Sequence, residues 1–453
     1  MSTRRPSGPS GLARLRRGFS SLENRNFRLY LSGQVISRIG TWMQQVSLPW
    51  LVLALGGSPI ELGIASALEF VPSTILAPFG GVFADRLDKR RAILVTQAAA
   101  MLQVCALFAL TVTGAITIPM IYGLALVLGL VNAIDMPLRQ SLAAELVPKN
   151  ILTNAIALNS TAFNSARIVG PAIAGVTIAL GTQLFHTTTS GVAFNFALNA
   201  ISYIAVLVNV WRMDPAEIRR PELPAIQPRV LDSLREGVSY AVRTPLVLWA
   251  LMLLLISSTF AMNFRILLPL FSQGVLGLDA SGYGALYATM GIGSLAGALT
   301  LAFMHERRAI LLMVGGGFLF SCFELVLAFI RVPMMAVPLI IGVGFFSMLM
   351  INTINATVQA NVPDHLRGRV MSLYVTVFAG STPIGAMFAG YVAEHWDVPA
   401  AFISGAILSL AAVALSGLRF RVARQNGRLG RTRLGVGERY EEPGASERPV
   451  QAA

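Results

Sequence analysis

From Arg28 to Leu418 the chain is a succession of apolar stretches separated by short polar or basic turns. They fall at 28–55, 60–84, 92–113, 118–139, 155–180, 191–211, 245–272, 282–304, 309–330, 336–358, 370–394 and 398–418. A bilayer-crossing helix needs about 20 predominantly apolar residues, and somewhat longer runs cross with tilt. Twelve such runs predict twelve transmembrane helices in an all-α polytopic membrane protein. A membrane β-barrel is excluded, because its strands would alternate apolar and polar positions over about ten residues.

Composition agrees with a lipid solvent. Hydrophobic residues make up 55% of the chain and charged ones 13%, against about 25% charged in a soluble domain. A soluble enzyme, a disulfide scaffold and a disordered chain are therefore excluded. Cys105 and Cys322 fall inside apolar runs and read as small buried hydrophobes. The net charge of +13 would suit nucleic acid, but its placement argues otherwise. Of the 35 Lys and Arg residues, Arg38, Arg167 and Arg265 lie within spans and Arg331 lies in a turn on one side; all others occupy the tails and alternate turns. The positive-inside rule then makes both termini cytoplasmic. The basic charge serves topology and the anionic leaflet, with no nucleic-acid partner.

These features divide the chain into a cytoplasmic tail (1–26), six spans (27–211), a cytoplasmic loop (212–244), six further spans (245–418) and a disordered tail (419–453). Met1–Arg25 is polar and Arg-rich, so the first span is expected to direct insertion without a cleavable signal. Within the middle loop, Val230–Arg243 has the pattern of an amphipathic surface helix. The two sets of six are copies. At an offset of 215, Pro148, Leu158, Phe163, Gly170 and Gly175 meet Pro363, Leu373, Phe378, Gly385 and Gly390. At 217, Arg90-Arg91-Ala92-Ile93-Leu94 meets Arg307-Arg308-Ala309-Ile310-Leu311. Two pseudo-symmetric six-helix bundles are the architecture of a secondary transporter with its site at the midplane between halves. A Walker loop requires Gly-Lys-Ser/Thr, and neither Lys89 nor Lys149 follows a glycine; His305-Glu306 has no second zinc-binding His. No ATP, metal or other cofactor is expected, and the energy would come from a gradient.

Between the second and third spans the chain reads Gly80-Gly81-Val82-Phe83-Ala84-Asp85-Arg86-Leu87-Asp88-Lys89-Arg90-Arg91. This resembles the G-x-x-x-D-R-x-G-R-R loop of the major facilitator superfamily, with Asp88 where the second glycine is usual. The resemblance implies a gate in which Gly81 permits close helix approach and Asp85 latches onto the eleventh span, with Arg86, Lys89, Arg90 and Arg139 around it. On the fifth span, Arg167-Ile168-Val169-Gly170-Pro171-Ala172-Ile173-Ala174-Gly175 resembles the G-P-x-x-G-G string of export-type members, with Ala174 in place of a glycine. Gly170 and Pro171 would then pack and bend a moving helix. Ser37–Gln44, Asp135–Gln140, Leu268–Gly274 and Asp364–Met371 are similar to the branch holding the enterobactin exporter and related transmembrane secretion effectors. The fourth span lacks the Arg-x-x-Gln-Gly string of drug/proton antiporters, so that type of proton coupling is not implied.

A charge inside the bilayer is costly and marks a functional site by default. At about 1.5 Å per residue, Arg38 and Arg167 fall near the midplane and Arg265 further from the basic side. Gln34, Arg38, Thr41 and Gln45 step along one helix face, as do Ser160, Asn164 and Arg167, and Asn352, Asn355 and Gln359. Arg38, Arg167 and Arg265, with Gln34, Gln45, Asn164, Asn352 and Asn355, are expected to line a cavity for an anionic or amphiphilic substrate. Glu69 or Asp135 would exchange the coupling proton. The alternative role for these charges is internal pairing, such as Arg38 with Glu69. Glu324 lies in a span that the resemblance places at the bundle periphery. The chain thus reads as a monomeric transporter in a bacterial inner membrane, exporting a siderophore-like or hydrophobic compound or drug by proton antiport. Rival readings are an importer or flippase of a metabolite or lysophospholipid, and a non-transporting scaffold.

Overall fold

The computed structural model describes residues 19–219, 230–303 and 309–425, with backbone alone for 77–86, 230–234, 302–303 and 424. The outer parts of both predicted tails, residues 220–229 and the Arg307-Arg308 pair lie outside the described residues. Among those described there is no strand. The first six spans are α1 (Arg25–Ala54), α2 (Pro59–Arg86), α3 (Lys89–Val112), α4 (Ile118–Glu145), α5 (Leu152–Phe185) and α6 (Thr188–Trp211). A surface helix, α7 (Val230–Arg243), follows. The seventh span comprises α8 (Pro245–Phe260), α9 (Phe264–Leu270) and a π-helical turn, Phe271–Val275. The last five are α10 (Ala280–Phe303), α11 (Ala309–Leu327), α12 (Pro333–Asn361), α13 (Asp364–His395) and α14 (Val398–Gln425). Eleven described helices are long and apolar enough to cross a membrane. The twelfth span is α1, 30 residues long but diluted by Gln34, Arg38, Gln44 and Gln45.

Local chemistry sets the ends of these helices. Ser58 caps α2 reciprocally with Glu61, and Asp88 caps α3 by accepting the Arg91 N–H at 3.1 Å. The departure from glycine at position 88 thus supplies a helix cap. Losing an aspartate cap costs about 1 kcal/mol, and replacing it by glycine only a few tenths. Asp88→Ala should therefore lower the thermal midpoint in detergent, while Asp88→Gly leaves it nearly unchanged. Asp279, before α10, accepts from Ser281 Oγ at 2.6 Å and from the Gly282 N–H at 2.9 Å. These bonds hold its carboxyl below the ordinary carboxylate range.

The packing repeats along the chain. In the first half α1 packs on α5 and α6, α2 on α4, and α3 on α4 and α6; in the second, α8 packs on α13 and α14, α10 on α12, and α11 on α12 and α14. Each pair has its counterpart six spans later, which is the signature of two bundles related by a pseudo-twofold axis. The glycines matched at an offset of 215 occupy equivalent contacts. Gly170 abuts Ile39 and Trp42 of α1, and Gly385 abuts Thr259 and Asn263 of the seventh span. Gly175 abuts Ala280 and Gly284 of α10, and Gly390 abuts Pro59 and Gly63 of α2. The small residues at these positions allow backbone to approach backbone where the hydrophobic effect gives helices no preference over lipid. Helix α7 docks on the second bundle, with Tyr240 donating to the Asn361 carbonyl at 3.0 Å and Glu236 paired with Arg369.

One span departs from its predicted form. The run 245–272 reads as one helix, but α8 stops at Phe260 and α9 begins at Phe264. The Asn263 side chain donates to the Thr259 carbonyl at 2.8 Å, competing for the acceptor that its own N–H would use. The Ala261 and Met262 N–H groups both turn to the Ser257 carbonyl. Pro269 then removes the donor that would close a turn on Arg265.

Candidate substrate site

The bundles meet along two seams, α2 against α13 and α5 against α10, with α9 reaching α1 and α2. The end carrying Arg90 and Arg367 is called the basic side, and the other the far side. On the far side the Ile60 N–H donates to Glu394 Oε2 at 3.2 Å, and Trp50 stacks on Tyr283 with ring centroids 5.6 Å apart. Described contacts between bundles continue to about half-depth. There Thr74 Oγ1 donates to the Ala379 carbonyl at 3.1 Å, and Gly291 faces Arg167 and Ile168.

At that depth lies a layer of aromatic rings and guanidinium groups drawn from both bundles. Trp42 of α1 contacts Phe163 of α5 at 5.9 Å and Tyr287 of α10 at 6.4 Å between centroids; Tyr287 meets Tyr283 edge-on at 6.0 Å. The Arg167 guanidinium sits 5.9 Å above the Trp42 ring, within cation–π range. Its Nε is buried without a hydrogen-bond partner, and no carboxylate pairs with Arg167 among the described residues. Arg38 lies 5.5 Å above Phe163 and donates to the Asn159 carbonyl at 3.1 Å. Phe163 remains 41% exposed.

Toward the far side the layer is bounded by an ion pair across the bundles. Both Arg265 Nη atoms reach the Glu69 carboxylate, one at 3.2 Å and the other closer, and Arg265 also lies 5.2 Å above Phe70. The two side chains are 14% and 4% exposed. Two parallel N–H···O bonds make this a geometrically specific latch. The paired carboxylate of the sequence reading, Glu69 with Arg38, is thus corrected: α9 carries the cation that Glu69 meets.

Asp135 is likewise engaged, inside the first bundle. It is fully buried, accepts from Thr96 Oγ1 at 2.6 Å and Gln97 Nε2 at 3.0 Å, and pairs with Arg139 one turn on. Arg139 donates to Gln34 Oε1 at 2.9 Å, and Tyr30 donates to the Arg139 carbonyl at 3.1 Å. Gln34 and Asp135 therefore belong to a packed network and not to the aromatic layer. Gln44 makes the buried amide ladder to Gln103 and Asn199, whereas the predicted Gln45 is half-buried on another face. Asn164, Asn352 and Asn355 are half-buried; Asn164 donates to the Ser160 carbonyl, and Asn355 accepts from Gln359.

Among the gating residues, the side chains of Gly81, Asp85 and Arg86 lie outside the described residues. Lys89 pairs with Glu145 of α4, and Arg90 donates to the Val210 and Trp211 carbonyls at the end of α6. Both bind within their own bundle, where a cation suits the C-terminal end of a helix. Gly170 and Pro171 sit in the α1–α5 and α5–α10 contacts respectively. The aromatic members Trp42, Phe163, Tyr283 and Tyr287 carry no charge to mark them in the sequence, and only their alignment across bundles reveals them.

Comparison with known proteins accords with this arrangement. A family described as transmembrane secretion effector matches residues 16–433. The staphyloferrin A transporter of Staphylococcus aureus is 27% identical over 387 residues, 83% of this chain and 91% of that protein. The multidrug efflux pump Tap of Mycolicibacterium fortuitum is 26% identical, covering 86% and 96%. The enterobactin exporter EntS of Escherichia coli is 25% identical, covering 86% and 90%. Among solved structures, a bacterial homologue of the human lysosomal transporter Spinster, inward-facing and unoccupied, shares the fold with a TM-score of 0.67, at 14% identity over 88% of this chain and 96% of that one. With a twelve-span duplicated architecture and a match over most of its length, the chain belongs to the transmembrane secretion effector family of the major facilitator superfamily and is a multi-pass membrane transporter of small molecules.

Proposed function

We propose that this transporter exports an anionic or amphiphilic small molecule, siderophore-like or hydrophobic, by alternating access from the cytoplasmic to the outer face of a bacterial inner membrane. The basic side is cytoplasmic in this reading, as are both termini. The observation that carries the substrate class is Arg167. A guanidinium without a carboxylate partner among the described residues, its Nε buried and its charge over the Trp42 ring that reaches Tyr287 of the opposite bundle, suits a ligand that brings an anionic group and a planar apolar surface. Siderophore and drug exporters among the relatives are consistent with such a cargo. Proton antiport remains the proposed drive, with a monomer as the working unit. The Glu69–Arg265 pair would open as the bundles part on the far side. Asp135 would act through Arg139 and α1.

The test measures uptake of enterobactin or ethidium, as probes, into everted vesicles. Arg167→Gln should lower enterobactin uptake at least tenfold, as loss of one charge-assisted hydrogen bond of about 1.5–3 kcal/mol implies. Arg167→Lys should retain part of it, and ethidium uptake should change far less. Equal loss of both probes by Arg167→Gln, with folding intact, would overturn the anion-binding role. Uptake into right-side-out vesicles in preference to everted ones would overturn the direction.

A further inference from the structure

We propose that Glu324 of α11 is a proton-binding site of the second bundle, separate from the substrate layer and coupled to it through the break between α8 and α9. This rests on the transport reading above and adds the place where a coupling proton would reside. Glu324 is 0% exposed, and neither carboxylate oxygen has a hydrogen-bond partner among the described residues. A buried ionised carboxylate without a protein partner is strongly disfavoured in such a place, whereas a protonated one is tolerated. Among the described residues no cation compensates for it. Helices α8 and α12 carry no charged residue, and those of α14 (Arg419, Arg421 and Arg424) lie at its basic end, more than three turns from the Glu324 level. Arg331, beyond the end of α11, donates to the Ala328 and Ile330 carbonyls, and Arg265 is held by Glu69. Glu324 is thus a neutral acid in this conformation.

Its position gives that proton somewhere to go. Gly317, Ser321 and Glu324 lie on one stripe of α11, facing α12 and α14: Gly317 packs against Met350 and Val413, and Ser321 donates to Ser409 at 2.8 Å. Ser409 in turn shares a hydrogen bond of 2.9 Å with Ser257 of α8. Helices α11 and α14 run antiparallel, so Glu324, one turn beyond Ser321, is level with Gly405–Ala406. Gly405 packs directly on the Phe260 carbonyl, the last residue of α8. Glu324 is therefore level with the Ala261–Asn263 break, and Arg265 follows that break by two residues. A swing of α9 that separates Arg265 from Glu69 would also open the packing around Glu324 and admit water. The Glu324 O–H bond then breaks, its proton forms a bond to that water, and the carboxylate is left hydrated. Return of the packing requires the carboxylate to take a proton back before it is buried.

The experiment uses purified full-length chain in liposomes. Infrared spectra of the wild type at neutral pH should show a protonated carboxylic carbonyl band that shifts with 13C-glutamate labelling and is missing in Glu324→Gln. With enterobactin or ethidium as probe, Glu324→Gln should exchange substrate in counterflow within about twofold of wild type, since exchange needs no net proton movement. Its accumulation driven by an imposed pH gradient should fall at least tenfold, and Glu324→Asp should restore part of that. Absence of the band in wild type overturns the proposal, as does gradient-driven accumulation by Glu324→Gln at the wild-type level. Failure of wild type and variants alike to exchange either probe would instead count against export of these substrates. The band measured on wild type judges the proton site regardless of whether the Gln variant folds.

Discussion

Neutralising one partner of the Glu69–Arg265 pair should push the transporter toward the conformation that is open on the far side, and neutralising both should push it less. The pair joins α2 to α9 across the bundle junction, so it exists only while that junction is closed. Removing one partner leaves the other buried and unpaired, which costs about 3–5 kcal/mol. That penalty falls only on the closed form, and the two-state balance between forms should shift by about two to four decades. Removing both partners eliminates the stranded charge, and the double variant should lie well short of the sum of the singles. The readout is thiol labelling in a background free of Cys105 and Cys322, with Ala280→Cys as reporter. Ala280 is 4% exposed and sits at the far-side end of the α5–α10 seam, its carbonyl against Gly175. Arg265→Gln and Glu69→Gln should each raise the labelling rate by at least tenfold. Additive effects, or no change in rate with either single variant, would show that the pair is not a latch.

The position of that latch illustrates what the residue pattern can and cannot convey. Helical periodicity identifies charges that share a face of one helix, but it is silent on which helix comes opposite. Arg38 and Arg265 were equally eligible partners for Glu69 until the break at Ala261–Asn263 turned α9 toward α2. That break was itself illegible, because Leu, Ile and Phe continue on both sides of it and only the side chain of Asn263 diverts the backbone. Gln44 and Gln45 show the same limit on a finer scale. Adjacent glutamines differ by about 100° of helix rotation, and the one that enters the buried amide ladder is Gln44. The twelve spans were legible because lipid demands long apolar runs, and α1 was legible only from its place in that series. The duplication was legible to the level of single contacts. A glycine required by close backbone approach cannot be replaced without parting two helices, so Gly170 and Gly385, and Gly175 and Gly390, retain both sequence register and packing partners. The aromatic layer was not legible, since Trp42 and Tyr287 look like any other apolar positions in a membrane helix.

Those close approaches lead to a contrast between two kinds of glycine. Gly284 lies on the seam between bundles, and a Cβ there would fall 2.6 Å from the Pro171 carbonyl oxygen and 2.9 Å from the Gly175 nitrogen. Gly170 lies within the first bundle, and its Cβ would fall 2.5 Å from Trp42 Cβ and 2.9 Å from the Ile39 carbonyl oxygen. In each case the obstacle includes backbone, which no rotamer change relieves. Overpacking of this kind costs about 1–3 kcal/mol or more. At Gly284 the least costly relaxation is a rigid parting of the bundles on the far side, which the protein already undergoes in a transport cycle. At Gly170 no such motion exists, since α1 and α5 belong to the same rigid unit. Gly284→Leu should therefore fold with a nearly unchanged thermal midpoint, label rapidly at Ala280→Cys, and transport at a few per cent of the wild-type rate or less. Gly170→Leu should instead lower the thermal midpoint by several degrees, about 2–4 °C per kcal/mol at the upper end of the single-domain range, without raising far-side labelling. If Gly284→Leu still turns over substrate at the wild-type rate, or if both variants fail through misfolding alone, the α5–α10 seam is packing and not a moving surface.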